Sequence, residues 1–146
     1  QRISELASMR TALSLHLATT ASTTNVLGTT LCDATGYNAT LSTASTSFTG
    51  AATASTNQGV NGTGWLPVNL TGVSGGSPLS KYPLDPKNTG QFGYSYDCSN
   101  TNFTFELNVK MESTVYKNGG ANDKESTDGG NNTNIYEIGI DPGLDL

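Results

Sequence analysis

Apolar side chains recur at steps of three and four near the start of the chain, and this spacing predicts an amphipathic helix over residues 1–18. The apolar positions are Ile3, Leu6, Met9, Leu13 and Leu17. Such steps place the side chains on one helical face, and we expect that face to be buried. No N-cap residue precedes the stripe, so we expect the helix to begin further upstream, in a longer chain.

Strict alternation of apolar and polar residues predicts a strand over residues 103–111. One face would carry Phe103, Phe105, Leu107, Val109 and Met111, and the other Thr104, Glu106, Asn108, Lys110 and Glu112. We expect the first face to be buried and the second to be exposed, as in an antiparallel sheet that packs on one side. A similar run over residues 92–98 predicts a hairpin with a turn at 99–102, and residues 135–140 predict a further strand.

The region between the helix and the hairpin, residues 19–90, shows no sustained period and is predicted to be a long loop. Within it, residues 41–56 are mostly Thr, Ser and Ala, and a short helix is expected over residues 40–46. Trp65 lies in the apolar cluster 64–68 and is expected to anchor the core; a surface position that stacks on sugars is the alternative.

These elements predict a single α+β domain over residues 1–146. It divides into the helix (1–18), the long loop region (19–90), and the antiparallel sheet with its terminal loops (91–146). We expect three or four strands, covered by the helix. The residues expected to meet in this core are Ile3, Leu6, Leu13 and Leu17 from the helix and Phe103, Phe105, Leu107 and Val109 from the sheet.

The composition is typical of an extracellular surface. Thr, Ser, Asn and Gly supply nearly half of the chain, and charged residues only 13%. The net charge is -5 and the basic residues are scattered, which argues against a nucleic-acid surface or polybasic membrane attachment. No apolar run is long enough to span a membrane, and no signal peptide is visible. A secretion signal, if the protein is secreted, is therefore expected upstream of Gln1.

The two cysteines, Cys32 and Cys98, are the next feature to interpret. In a chain of extracellular composition a single pair favours a disulfide, which would tether the long loop to the hairpin. Two buried, unreactive thiols are the alternative.

The order of these segments resembles the type IV pilins and type II secretion pseudopilins. Residues 2–17 resemble the soluble half of the family's N-terminal helix, and residues 82–88 (YPLDPKN) resemble the proline-aspartate-proline segment that precedes its sheet. Residues 94–111 stand where its hairpin stands, and residues 128–139 resemble its terminal loop and last strand. The resemblance covers most of the chain outside residues 18–64.

The resemblance implies a subunit of a bacterial surface filament that acts by assembly and display. Its partners would be other pilin subunits, contacted through a hydrophobic half-helix that is absent here, and the inner-membrane assembly machinery. That half-helix would anchor the protein in the membrane before assembly, and the mature filament would be extracellular. The cysteines depart from the family, where a disulfide often closes a C-terminal loop.

The chain carries no catalytic motif, and we expect no enzyme activity. His16 has no evident acidic partner and is expected to face solvent. Glu106 and Glu112 share the predicted wet face of a strand without any sign of a cleft.

The acidic loop at residues 122–129 could hold calcium through Asp123, Glu125 and Asp128, because carboxylate oxygens are the ligands that calcium prefers. The resemblance supports this site, since major pseudopilins carry calcium in the equivalent loop. A solvated acidic loop is the alternative, since Lys124 interrupts the cluster.

Two other functions remain open beside the filament subunit. The chain could be a secreted adhesin or carbohydrate-binding module that uses Trp65, Tyr37 or the Thr/Ser-rich loop, or a secreted hydrolase.

Overall fold

The structure, a computed structural model, describes residues 1–20, 31–32 and 36–146. Its N-terminal helix, α1, runs Arg2–Thr20 and so extends two residues beyond the predicted range. Leu6, Met9 and Leu13 are fully buried, and Ile3 and Leu17 pack at the margin of the same core. The predicted apolar stripe is confirmed. The part of the predicted loop at 21–30 and 33–35 lies outside the described residues.

The sheet has five strands and is mixed. The strands are β1 (Tyr37–Ala39), β2 (Ala52–Ala54), β3 (Ser95–Ser99), β4 (Thr104–Val109) and β5 (Tyr136–Gly139). Their order across the sheet is β2-β1-β3-β4-β5, and β1 pairs with β2 in parallel while every other pair is antiparallel. The predicted hairpin and last strand are present. The predicted number of strands, three or four, was wrong, and so was the prediction of a sheet that is antiparallel throughout. β1 and β2 have only three residues each, too few for a periodic pattern to reveal.

The helix predicted over residues 40–46 does not form. The backbone N–H of Thr40 donates to the carbonyl of Tyr94 at 2.8 Å, and that of Ser45 to the carbonyl of Gln91 at 2.9 Å. Because these groups bond to the segment that leads into β3, no helical ladder is available to them.

The β3–β4 hairpin keeps the predicted alternation from Thr104 onward. Cys98 pairs with Phe105 and Tyr96 with Leu107. Phe103, however, adopts a φ of 55° in the turn and is only half-buried. The prediction that Phe103 belongs to the core face was wrong, because the left-handed turn conformation takes it out of the strand.

The core lies between α1 and one face of the sheet, and the long loop contributes much of it. α1 contacts β4 and β5. Trp65 is 1% exposed and donates its indole N–H to the Pro83 carbonyl at 3.0 Å, while the buried Tyr82 hydroxyl donates to the Val68 carbonyl at 2.8 Å. Trp65 is therefore a core anchor, as predicted.

The opposite, outer face of the sheet is also covered, contrary to prediction. Glu106 and Asn108, expected in water, are fully buried. The loop at residues 44–48 and the C-terminal segment at residues 141–146 lie over them. A small apolar cluster forms beneath this cover from Tyr37, Ala39 and Phe48, with Ala52 and Leu146 at its margin. Of the other three predicted wet-face residues, Thr104 and Lys110 are half-buried, and Glu112 is exposed beyond the end of β4.

A disulfide joins Cys32 to Cys98, with the two Cα atoms 5.8 Å apart. The predicted pairing is confirmed and the alternative of two thiols is wrong. The side chain of Asn100 reinforces the tether, because its Oδ1 accepts the N–H groups of Leu31 and Cys32 and its Nδ2 donates to the Cys32 carbonyl. No helix within the described ranges is long and apolar enough to cross a membrane.

Candidate functional site

Two buried carboxyl groups meet on the outer face of the sheet. Glu106 of β4 is 0% exposed and Glu137 of β5 is 1% exposed. Asn108 is the register partner of Glu137, and Gly139 is that of Glu106, so the two glutamates are diagonal neighbours on one face. Glu137 lies close enough for its negative charge to raise the pKa of Glu106.

Neutral donors complete the surroundings of this carboxyl pair. Glu106 accepts the Ser47 hydroxyl at Oε1 (3.3 Å) and the Leu146 amide at Oε2 (3.2 Å). Glu137 accepts the Asn132 amide at Oε2 (2.9 Å). Its Oε1 is buried and has no hydrogen-bond partner among the described residues.

Gly130 makes room for this arrangement. A Cβ atom at that position would lie 1.9 Å from Oε2 of Glu137, closer than any real contact. The loop that leads into β5 can therefore approach the glutamate only because residue 130 has no side chain.

The electrostatics of the pair favour a bound proton. Burial, with the negative charge of Glu137 close by, raises the pKa of Glu106 to about 8. Burial also raises the pKa of Glu137, although the Asn132 amide opposes this. At neutral pH Glu106 therefore holds its proton, and no ion pair among the described residues involves either glutamate.

A second charged cluster fixes the start of α1. The Arg2 guanidinium binds the Asp85 carboxylate through Nε–Oδ2 at 2.5 Å and Nη2–Oδ1 at 2.8 Å. The guanidinium also forms an ion pair with Glu112 at 3.0 Å. Glu112 forms a second ion pair, with Lys87, at 2.8 Å. Burial pushes the pKa of Asp85 upward, but the bonds from Arg2 and from the amides of residues 87 and 88 outweigh it and hold the pKa below its ordinary value. The cluster joins the helix to the proline-aspartate-proline segment.

The three predicted calcium ligands are engaged elsewhere. The oxygens of the buried Glu125 accept the amides of residues 111 and 118. Asp123 accepts the amides of residues 119 and 126 and the hydroxyl of residue 126, and Asp128 accepts the amides of residues 130 and 137. Across the described ranges, no three His, Cys, Asp or Glu side chains gather where a metal ion could bind. Calcium binding stays a prediction, and these contacts do not favour it.

His16 does not face solvent as predicted. It is 1% exposed, and burial lowers its pKa. Position 16 follows Leu13 by three residues and Met9 by seven, so the helical period itself places His16 on the buried face. The helical spacing from Met9 and Leu13 therefore indicates burial of His16, whereas the polarity of its side chain favours solvent.

Residues expected to serve the other two functions are separated or buried. Glu106 is enclosed on the outer face, whereas Glu112 is exposed and bound to Arg2, so they do not flank a common cleft. Trp65 and Tyr37, the aromatic residues proposed for sugar stacking, are 1% and 8% exposed. The two glutamates therefore form no common hydrolase site, and neither buried ring offers a surface to a sugar.

A polar cleft of about 550 Å³ runs beside β5, the strand at one edge of the sheet. Arg10 lines it and donates to the Gly139 carbonyl at 3.0 Å, and Asp128 accepts the Glu137 amide at 2.6 Å. Two side chains thus occupy backbone groups that an edge strand would otherwise offer to another strand, which disfavours pairing with a second sheet there.

The chain matches no known protein family, no curated protein sequence and no solved structure.

Proposed function

We propose that the chain is a pilin-like structural subunit of a bacterial surface filament of the type IV pilus or pseudopilus kind. The observation that carries the proposal is the division of α1 into two faces. One face packs on β4 and β5, and the other is exposed and carries mostly small uncharged side chains, although Arg10 is exposed as well. A helix that packs on both sides is what a filament core requires.

The exposed face of α1 consists largely of small side chains. They are Ser4, Ala7, Ser8, Thr11 and Ala18, and Leu15 beside them is 41% exposed. Small residues let two helices approach closely. A groove of about 360 Å³ lies along this face, between residues 7–12 and the turn at Pro78 and Leu79, and it could receive side chains from a neighbouring copy.

The Arg2–Asp85 pair supports the proposal by fixing the direction of the helix. The side chain of Asp85 is 0% exposed and that of Arg2 only 10%, so the first turn of α1 is fastened to the body of the domain. A helical segment upstream, as the resemblance implies, would then project at a defined angle. Subunits of a regular filament need such a fixed angle, because the same contact repeats along the polymer.

The disulfide and the surface composition support an extracellular location. Disulfides persist in oxidising compartments, and the uncharged polar surface suits an exposed filament. As a subunit the protein would act by assembly rather than by a reaction. Its partners would be further pilin subunits and the inner-membrane machinery that inserts them.

Expression of the complete gene in its own cells tests the proposal. Filaments are sheared from the cells, collected by sedimentation and analysed by mass spectrometry. The proposal expects this chain in the sedimented polymer, with Cys32 and Cys98 oxidised. Recovery of the chain solely as a soluble monomer, from cells whose filaments lack it, would contradict the proposal.

A further inference from the structure

We propose that Asn61 and Asn69 form an acceptor site for N-linked glycosylation, and that at least one of the two carries an oligosaccharide on its side-chain nitrogen. Each begins an Asn-x-Thr triplet, the sequence that this modification requires. The modification needs the extracellular location proposed above, which the disulfide supports, but it does not need assembly into a filament.

Five triplets of this kind occur in the chain, and their exposure differs. They begin at Asn38, Asn61, Asn69, Asn102 and Asn131. Asn38 is 6% exposed within β1, so a sugar attached to it would have to enter the sheet. The other four asparagines are exposed. Exposure therefore excludes one triplet and leaves four.

In two of these four triplets the threonine hydroxyl binds the asparagine. The Thr63 hydroxyl donates to Oδ1 of Asn61 at 2.6 Å, and the Thr63 backbone amide donates to the same oxygen at 3.2 Å. Thr71 makes the same two bonds to Oδ1 of Asn69, at 2.6 and 2.9 Å. The two triplets thus share one local geometry, in which Oδ1 receives two donors and Nδ2 receives no partner among the described residues.

The remaining two exposed triplets lack this geometry. In the triplet of Asn102 the hydroxyl of Thr104 is buried and has no hydrogen-bond partner among the described residues. In the triplet of Asn131, none of the hydrogen bonds of the described chain joins the asparagine to Thr133. The geometry therefore selects Asn61 and Asn69.

Two donors on Oδ1 prepare the amide nitrogen for attack on a sugar. The lone pair of an amide nitrogen is delocalised towards its oxygen, so the nitrogen becomes a good nucleophile only as it loses a proton. The resulting anion carries its charge largely on Oδ1, and hydrogen bonds to a charged form favour that form. The bonds from Thr63 and Thr71 thus favour loss of a proton from Nδ2 of the asparagine that each one contacts.

The two asparagines lie side by side on a fixed frame. They are partners in an antiparallel bridge, and the Leu70 amide donates to the Val60 carbonyl at 2.7 Å next to them. Leu70 is 0% exposed and anchors the second triplet to the core, while Asn69 and Thr71 on either side of it stay at the surface. Since opposed residues of an antiparallel pair have Cβ atoms about 5 Å apart, Asn61 and Asn69 form a single acceptor patch.

The segment that bears the pair also has a use for a glycan. Residues 34–80 contain no Asp, Glu, Lys, Arg or His. Charge keeps protein surfaces soluble and apart, and this part of the chain has none of its own. An N-linked oligosaccharide is bulky and solubilising, so it supplies the hydration that charged side chains provide elsewhere.

The transfer step uses an oligosaccharide carried on a lipid pyrophosphate and a membrane-bound transferase. A bond forms between Nδ2 and the anomeric carbon of the first sugar, and the bond from that carbon to the pyrophosphate oxygen breaks. The lipid pyrophosphate leaves with the electron pair, and the proton lost from Nδ2 passes to a base of the transferase. No oxidation or reduction takes place.

Mass spectrometry of the chain isolated from its own cells tests the site. Chymotrypsin cuts after Trp65 and so places Asn61 and Asn69 on separate peptides. Fragmentation by electron transfer preserves the glycosidic bond and locates the sugar. We expect an oligosaccharide on Asn61, on Asn69 or on both, and an unmodified Asn38. Two bare asparagines at positions 61 and 69 would overturn the proposal.

Paired substitutions in the same cells identify the acceptor atoms. Asn61→Gln combined with Asn69→Gln removes both acceptors and leaves the threonines in place, so the glycan should be lost from residues 57–71. Asn102→Gln combined with Asn131→Gln changes the other two exposed triplets and should leave that glycan unchanged. Retention of the sugar in the first variant would place it on a hydroxyl group and overturn the proposal.

A second pair of variants tests the threonine hydroxyls. Thr63→Ser combined with Thr71→Ser keeps both hydroxyls and should keep the glycan. Thr63→Val combined with Thr71→Val keeps the size of the side chains but removes the hydroxyls, and it should abolish the modification. Equal occupancy in the serine and valine variants would contradict the role assigned to the hydroxyls.

The glycan and the filament are separated by where the chain is found. Bare asparagines in a chain that sediments with filaments would overturn the modification and leave the filament proposal standing. A glycosylated chain found solely as a monomer would do the reverse.

Discussion

Arg2, at the start of the helix, binds the carboxylate of Asp85, 83 positions later, with two hydrogen bonds of 2.5 and 2.8 Å. Asp85 also accepts the amides of Lys87 and Asn88, so one buried carboxylate joins the helix to the turn that follows Pro86. The relationship connects the element that would enter a filament core with the segment that leads into the sheet.

Asp85→Ala should destabilise the fold strongly. It leaves a largely buried guanidinium and two amides without their acceptor, and breaking a buried ion pair costs about 3–5 kcal/mol. Urea unfolding of the native chain and the variant measures the loss. Glu112→Ala removes the exposed partner of Arg2 and should change stability little. Equal losses at both positions would show that Asp85 acts only as a surface partner.

Leu13→Ala should cost about 2–5 kcal/mol, because Leu13 is fully buried between α1 and the sheet. Leu15→Ala is the matched control two residues away on the exposed face, and little change is expected there. Thermal unfolding of both variants measures the two losses of stability. A larger loss at Leu15 than at Leu13 would reverse the assignment of the two helix faces.

Stability should fall as the pH rises between about 4.5 and 8. The pKa of Glu106 is near 4.5 in the unfolded chain and about 8 in the folded one, so the folded state binds more protons in this window. Glu106→Gln should flatten the profile there. Asp85 has the opposite sign: its pKa is lowered on folding, so its contribution is lost when the pH falls below the ordinary carboxyl range. A native profile that rises across the window would contradict the raised pKa of Glu106.

Reduction of the disulfide should cost about 4 kcal/mol on the chain-entropy account, since the bond closes a loop across 66 positions. Unfolding with and without a thiol reductant measures the difference. A chain with both Cys32→Ser and Cys98→Ser should be as weak as the reduced chain and insensitive to reductant. Two thiols that alkylate readily in the native, oxidised protein would remove the basis of this prediction.

The sequence predicted the elements in which a hydrophobic period is sustained over many residues. The helix face follows from Leu6, Met9 and Leu13, and the hairpin follows from the alternation of Phe105, Leu107 and Val109, because both patterns extend over several turns or pleats. The disulfide followed from composition, since the chain offers a single cysteine pair.

The outer face could not be predicted in the same way. Its cover comes from residues 44–48 and 141–146, short segments without a hydrophobic period, so Glu106 and Asn108 were assigned to solvent. The diagonal placement of Glu106 and Glu137 depends on the register of β4 with β5, which the sequence of either strand alone does not fix.

The central claim, that the exposed face of α1 contacts a neighbouring copy in a filament, is tested most directly by enlarging one small residue on that face. Ser8→Trp is introduced into the complete gene, and Ser74→Trp, at an exposed serine outside the helix, is the matched control. The measurement is the fraction of the chain that sediments with sheared filaments. The account predicts that Ser8→Trp folds with a near-native melting temperature but is lost from the polymer, whereas Ser74→Trp assembles normally. Normal assembly of Ser8→Trp would contradict it.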